Sequence, residues 1–370
     1  MASSMTTSRV ERLADGERFL VEPEAIEREL AELWREASDG GTLRPVSRAC
    51  ILNVIVVADG REPQEPSKWL DELVRRLPEH LAARCLTLRL RPEEPARATL
   101  TSFISANCLL APGGEKLVCS EAIELVSAGP AATHLPALCR ALLVPGVPTA
   151  VLFDRVPEVG DPLAEALLEL SDRAVLWSAR GRPERVLALT RRWCARRPIL
   201  DLGWVAQSHL RFAIASLFED AHSDAERIET VTVRPADGDR EPGVLDAKGL
   251  LLARGWMASR LGATAIRSAA SIGSGSVDHL VELPDRTVRF SLRPPDGPPE
   301  VCFQGPDLDR GVRFEADGGV RLERPSGDWR WVLPPRSPAA LLAEAVLHRS
   351  ADPELTAALR WAEALMEETG

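Results

Sequence analysis

Tyrosine is absent from this 370-residue chain, lysine occurs only at Lys68, Lys116 and Lys248, and asparagine only at Asn53 and Asn107. These shortages track AT-rich codons, so they indicate a GC-rich coding sequence. Arginine therefore supplies 42 of the 45 basic residues for a coding reason, which removes the arginine excess as an argument for phosphate binding. A basic field is also missing. With 55 acidic residues the net charge is −10, against the positive patch that a general nucleic-acid binder needs. No uncharged apolar run reaches the 18 residues of a membrane span. Met1 to Thr7 is polar and lacks the apolar core of a secretory signal, so a cytoplasmic address is expected and no membrane partner. The seven cysteines (50, 85, 108, 119, 139, 194, 302) contain no CxxC and no Cys/His set at zinc spacing. An odd number in that compartment reads as reduced thiols, mostly packed as small apolar residues.

Catalytic signatures are lacking as well. The first strand ends in Ala58-Asp59-Gly60-Arg61, not in a Gly-rich dinucleotide fingerprint. There is no Walker A run, no H-E-x-x-H and no G-x-S-x-G. The sequence therefore offers no catalytic residue, no metal set and no cofactor. Its nearest phosphate-cradle candidate, Ser271-Ile272-Gly273-Ser274-Gly275-Ser276, precedes a predicted strand and reads as a connector. Asp278-His279 has no nucleophile fixed beside it. His134 and Cys139 each read as a surface or packed residue. Glu121 and Glu124 read as a solvated face, pointing opposite ways along one strand.

What is present is patterning. Cys50 to Ala58 is an almost continuous apolar, β-branched run, as expected of a parallel strand buried on both faces. Predicted strands at 85–90, 101–111, 116–125, 149–153 and 173–178 alternate with predicted helices at 22–37, 69–77, 131–143, 162–171 and 183–194. A hairpin turning on Gly113-Gly114 would set Cys108 directly across from Cys119, a candidate redox pair whose alternative reading is two packed thiols. Beyond Arg196-Arg197-Pro198 the pattern changes. A helix at 203–219, carrying Trp204, Leu210, Phe212, Ile214 and Leu217, a strand at 227–234 and a helix at 245–261 lead into six short strands between 276 and 333. Helices at 337–348 and 353–367 close the chain. The expected fold is an α/β domain over 21–196, mostly parallel with one hairpin, after a loose arm at 1–20. An α+β domain over 197–370 follows, an antiparallel meander flanked by helices. Trp204, Trp256 and Trp361 lie beside Arg211, Arg254, Arg260 and Arg360 on helices, a pairing found both in cores and at protein interfaces.

Four segments, in order, resemble the glucose-6-phosphate dehydrogenase assembly protein (OpcA) family. They are Arg48 with Leu52-Asn53-Val54-Ile55-Val56; Glu121 to Leu125 with Leu142 to Pro148; Asp201-Leu202-Gly203-Trp204 with Arg211 and Leu217 to Asp220; and Gly255 to Gly262. The likeness spans about 48–262. This chain departs from the family at Gly146, where an acidic residue is usual, and at Ala206 and Gln207, where a basic one is usual. The resemblance implies a non-catalytic protein that binds glucose-6-phosphate dehydrogenase and promotes its active oligomer. Trp204, Arg211, Trp256 and Arg260 are then the candidate interface residues. The alternative class is an enzyme or sensor that binds a small phosphorylated ligand beyond the strand C-termini, near Asp59 to Arg61 and Asp154-Arg155.

Overall fold

A computed structural model describes residues 9–15, 19–20, 22–39, 50–59, 68–91, 99–110, 116–178, 181, 183–219, 222–236, 249–269, 275–315, 319–325, 327–332, 336–347 and 352–367. The chain forms two compact units. One comprises Met1–Trp177, Thr190–Leu200 and Ser337–Arg349; the other Ser178–Leu189, Asp201–Arg336 and Ser350–Gly370. Among the described residues no helix is long and apolar enough to cross a membrane.

The first unit follows from strands that are apolar on both faces. Its elements are β1 (Arg9–Asp15), β2 (Phe19–Leu20), α1 (Pro23–Asp39), β3 (Leu52–Asp59), α2 (Lys68–Arg76), β4 (Ala83–Arg91), β5 (Thr99–Leu110), β6 (Lys116–Ala128), α3 (Leu135–Leu142), β7 (Thr149–Phe153), α4 (Pro162–Leu170), β8 (Arg173–Leu176), the end of α5 (Pro183–Cys194) and β9 (Ile199–Asp201). The sheet order is β1-β5-β6-β4-β3-β7-β8-β9, with β2 beside β5. β6, β4, β3, β7 and β8 run parallel, and β5 returns antiparallel to β6. β7 and β8 are buried at every position, as strands covered on both faces must be. Residues 9–15 and 19–20, read from sequence as a loose arm, instead extend the sheet by pairing with β5. Their alternation is weak, and only the free edge of β5 recruits them.

Two polar features pin this unit. Arg84 on β4 and Glu121 on β6 are both buried, at 3% and 4% exposure. Arg84 donates to Glu121 (Nε to Oε2, 2.7 Å), to Glu27 on α1 and to the Leu142 carbonyl that ends α3. Trp34 on α1 donates its indole N–H to the other Glu121 oxygen at 2.7 Å. Glu121 is thus not the solvated carboxylate that its sequence neighbourhood suggests; Glu124, pairing with half-exposed Arg89 at 3.0 Å, is closer to that description. Asn53 on β3 bridges both the N–H and the carbonyl of Val144, at 3.0 Å each, so the chain entering β7 is fastened to β3. Gly146 in that entry has φ +80°, a conformation that an acidic side chain would strain.

The second unit contains α6 (Leu202–Ala206), α7 (Ser208–Leu217), β10 (Thr230–Arg234), α8 (Gly249–Arg260), β11 (Ala265–Ala269), β12 (Val277–Glu282), β13 (Thr287–Leu292), β14 (Glu300–Gly305), β15 (Leu308–Phe314), β16 (Gly319–Glu323), β17 (Trp329–Val332) and, beyond α9 (Pro338–Leu347), α10 (Pro353–Glu367). The sheet order is β11-β12-β13-β10-β14-β15-β16-β17. It is a meander with one insertion: β10 enters between β13 and β14, parallel to the former and antiparallel to the latter. One face is apolar and packs under α7, α8 and α10. The other carries cross-strand ion pairs such as Arg234–Glu300 (2.5 Å) and Arg313–Glu323 (3.2 Å). The helix predicted over 203–219 breaks at Gln207, which ends α6 and starts α7.

α9 belongs to the first unit, although a cut at 196 would assign it to the second. It is apolar almost all round, with Ala339, Leu341, Leu342, Ala343, Ala345 and Val346 buried. Buried Arg173 of β8 donates to its Val346 carbonyl at 2.5 Å. No periodicity near residue 338 states which sheet such a helix will cover.

Gly255 on α8 marks a close helix contact in the second unit. A Cβ there would lie 2.2 Å from the Ala358 carbonyl oxygen and 2.7 Å from the Ala362 nitrogen of α10. Both are backbone atoms, so the helices must separate to admit even a methyl. Gly255→Ala is expected to lower stability by about 1–3 kcal/mol, the usual cost of overpacking, despite the better helix propensity of alanine. Urea unfolding of the two proteins checks this; an equal or higher midpoint for the variant contradicts the close approach.

Candidate functional site

The sheet of the first unit changes direction of build at β3: β4 lies on one side and β7 on the other. Open parallel sheets bind ligands outside the strand C-termini at such a point. In this chain indoles stand there. Asp154, which extends β7 by donating its N–H to the Val57 carbonyl of β3, is 5% exposed. Trp69, in the first turn of α2, donates its indole N–H to the Asp154 carboxylate at 2.9 Å and meets Trp177 edge to face at 4.6 Å. A pyrophosphate approaching the α2 N-terminus would meet a carboxylate and aromatic surface, both poor anion partners. Residues 60 and 61, named with Asp59 as part of the alternative ligand site, lie outside the described residues, as does the side chain of Asp59.

The other sequence candidates resolve individually. Register sets Cys108 opposite Cys119, as the hairpin arithmetic requires; their side chains lie outside the described residues. Residues 271–274 of the Gly-rich segment also lie outside them. Asp278 and His279 point to opposite faces of β12. Asp278 accepts from Ser291 (2.6 Å) and Arg289 (3.1 Å). His279, fully buried, faces Arg254 of α8 through Nδ1 (2.7 Å) and the Leu365 carbonyl of α10 through Nε2 (3.1 Å). The Arg254 contact requires a lone pair on Nδ1, so the imidazole is neutral with its proton on Nε2. Burial pulls the Arg254 guanidinium down to about 10. Burial also pushes the Cys139 thiol up to about 12, out of nucleophile range. Among the described residues no group of three or more His, Cys, Asp or Glu side chains could hold a metal ion.

Buried Trp204 and half-buried Arg211 form one cluster. Asp201 caps α6, accepting from the Trp204 N–H (2.8 Å), the Ser178 N–H (3.0 Å) and the Ser178 hydroxyl (2.8 Å). Trp204 is 3% exposed, and its indole N–H donates to Asp352 at 2.7 Å. The same Asp352 carboxylate caps α10 through the Glu354 N–H at 2.8 Å. Arg211 lies over the Trp204 ring at 3.5 Å and donates to its carbonyl at 2.6 Å. This is the arrangement of a tryptophan that seats helices on their own unit. Although the helix breaks at Gln207, the two residues still meet face to face.

Trp256 and Arg260 lie elsewhere, at a cleft of about 520 Å³ between α7, α8 and the sheet. Trp256, Met257, Phe218 and Phe303 give it apolar walls, and Phe212 stands at its rim, 63% exposed and stacked on Trp331 at 5.4 Å. The Trp256 indole donates to Glu354 at 3.3 Å, and Arg260 pairs loosely with the same carboxylate at 3.7 Å. Phe212 therefore faces outward. It sits off the Leu210–Ile214–Leu217 stripe, and that offset was the available signal.

Residues 74–194 match the family model described as "Glucose-6-phosphate dehydrogenase subunit N-terminal domain", less than half of the chain. No curated protein matches it. Among solved structures, an aldose-aldose oxidoreductase from Caulobacter crescentus is 12% identical, with a TM-score of 0.48 over 86% of this chain and 97% of that one. A dehydrogenase from Chromobacterium violaceum is 12% identical, with a TM-score of 0.47 over 86% and 94%. A 3-ketoreductase from Actinomadura kijaniata is 15% identical, with a TM-score of 0.45 over 85% and 96%. At these identities and TM-scores the likeness says nothing of what this chain does.

Two stability measurements probe the Trp204–Arg211 cluster. Trp204→Ala is expected to cost about 3–5 kcal/mol and Arg211→Ala roughly 1–2 kcal/mol, read from urea midpoints. A neutral Trp204→Ala would mean that the ring does not seat α6. Burial pushes the Asp201 carboxyl up to about 6, over the opposing pull of its hydrogen bonds from Trp204, Ser178 and Gly203. A carboxyl raised on folding contributes stability that is full below its unfolded value and is lost as pH rises through 6. Asp201→Asn should therefore flatten the stability–pH curve between pH 4 and 7 by on the order of 3 kcal/mol. Parallel slopes for wild type and variant would contradict this.

Proposed function

We propose that this chain is a non-catalytic assembly factor for glucose-6-phosphate dehydrogenase, binding the enzyme and favouring its active oligomer in the cytoplasm. The observation that carries the reading is the family match over 74–194. It contains one of the four segments on which the resemblance rests, 121–125 with 142–148. Asn53 of another fastens onto Val144. The acidic net charge and the apolar, half-open cleft of the second unit suit a protein partner better than a nucleic acid. An activator must bind the active form more tightly than the inactive one, so its effect is bounded by that difference. Its metabolic consequence is support of the oxidative pentose phosphate pathway through NADPH supply.

The second reading, a binder of small phosphorylated ligands, draws on the strand order β4-β3-β7 and its switch point. Trp69 and Asp154 stand in its way.

The discriminating experiment mixes the purified chain with the dehydrogenase of its own organism and follows mass and steady-state activity. A complex at micromolar concentration with raised kcat or a shifted oligomer is expected; neither a complex nor a kinetic change would refute the reading. In parallel, sugar phosphates and nucleotides are screened by thermal shift. A ligand at a hundred times its Kd adds about 2.7 kcal/mol, so a clear Tm rise would favour the second reading.

A further inference from the structure

The cleft between α7 and α8 has an uneven charge balance. Arg260 at its rim is 64% exposed and already faces Glu354. The last carbonyls of α7 are also taken: Arg310 donates to Leu217 and itself pairs with Asp224, and Arg324 donates to Ser216 at 2.6 Å. Glu219 remains. It lines the cleft, is exposed, and has no charged partner among the described residues. It also follows directly on the C-terminus of α7, where a negative charge opposes the helix dipole. Arg310 and Arg324 offset part of that opposition, and Glu219 itself, with no ion pair among the described residues, leaves its charge open to a cation from a partner. Beside it stands Phe212, a ring 63% exposed, which turns the apolar wall of Trp256 and Met257 outward. From Phe212 the aromatic surface continues to Trp331 and to Trp329, which is 57% exposed on the edge strand β17.

We infer that this cleft is the docking site for a partner segment that inserts an aliphatic or aromatic side chain against Phe212 and Trp256 and sets a lysine or arginine beside Glu219. Charge complementarity fixes the sign, because an anionic segment would meet Glu219, which has no charged partner among the described residues, beside an arginine that already faces Glu354. The cleft volume admits one or two large side chains, and the exposed Phe212–Trp331 pair offers a ring face to a cation. The inference rests on the reading that the partner is the dehydrogenase, and it assigns that contact to a surface on the second unit, away from the Trp204–Arg211 cluster.

The test uses the full chain as wild type, Phe212→Ala and Glu219→Lys, each first shown to melt with the wild type. Two probes are titrated: the organism's dehydrogenase, and a synthetic amphipathic helical peptide with Leu and Phe on one face and Lys at its flanks, alongside its Lys→Glu counterpart. Wild type is expected to bind the basic peptide at least tenfold more tightly than the acidic one. Phe212→Ala should weaken both the peptide and the dehydrogenase by about thirtyfold, the hot-spot range. Glu219→Lys should reverse the preference between the peptides. Equal binding of the two peptides, or variants that bind the dehydrogenase as the wild type does, would overturn the cleft assignment and leave the functional reading intact. Selective binding of the basic peptide without any binding of the dehydrogenase would keep the cleft and remove the functional reading.

Discussion

The geometry of the second unit depends on one missing side chain. With hydrogen at position 255, α8 approaches α10 until backbone meets backbone, within 2.2 Å of where a Cβ would stand. That approach fixes the roll of α8. Arg254 then turns down onto His279 of the sheet, and Trp256 faces Glu354 at the start of α10. Met257 and Arg260, further along, reach the cleft beside α7. A methyl at 255 would therefore shift the walls of the cleft as well as the packing beneath it.

Buried charge is the second organising element. Arg84–Glu121 ties β4, β6, α1 and the end of α3 together, with Trp34 and Glu27 completing the donor and acceptor count. Such a pair gains little net stability over an apolar replacement, but losing one partner leaves a buried charge and is costly. Asp201 acts similarly in the second unit: a carboxylate paired only by N–H and O–H donors, raised by burial, holds the entry into α6. Many of the residues that carry the family resemblance are framework residues of this kind. Asn53, Asp201, Trp204 and Gly255 are all engaged inside their own units, whereas of the two outward-facing residues Phe212 falls outside the quoted segments and Glu219 lies within one.

Some of this was readable from residues alone. β3, β7 and β8 are apolar on both faces, and only a parallel sheet covered by helices accommodates that, so the α/β class and its order followed from composition and period. The Cys108–Cys119 pairing was readable as hairpin arithmetic, although nearer the turn the register shifts between Leu109 and Leu110, so that Leu110 faces Lys116. The succession of short strands in the second half determined an antiparallel sheet for the same local reasons.

Tertiary structure decided what depends on partners distant in sequence. Glu121 looks solvated until β4 brings Arg84 alongside it from 37 residues away. β10 reads as an ordinary strand, and only the completed sheet shows it inserted between β13 and β14. α9 is too uniformly apolar to point anywhere by itself, and it joined the first unit where Arg173 could cap it. Trp204 and Trp256 are equivalent on paper, each a tryptophan near an arginine on a helix. Both are buried, but folding set the first under the Arg211 guanidinium and the second in the wall of a cleft, because surroundings are set by which elements close over a side chain and not by the side chain itself.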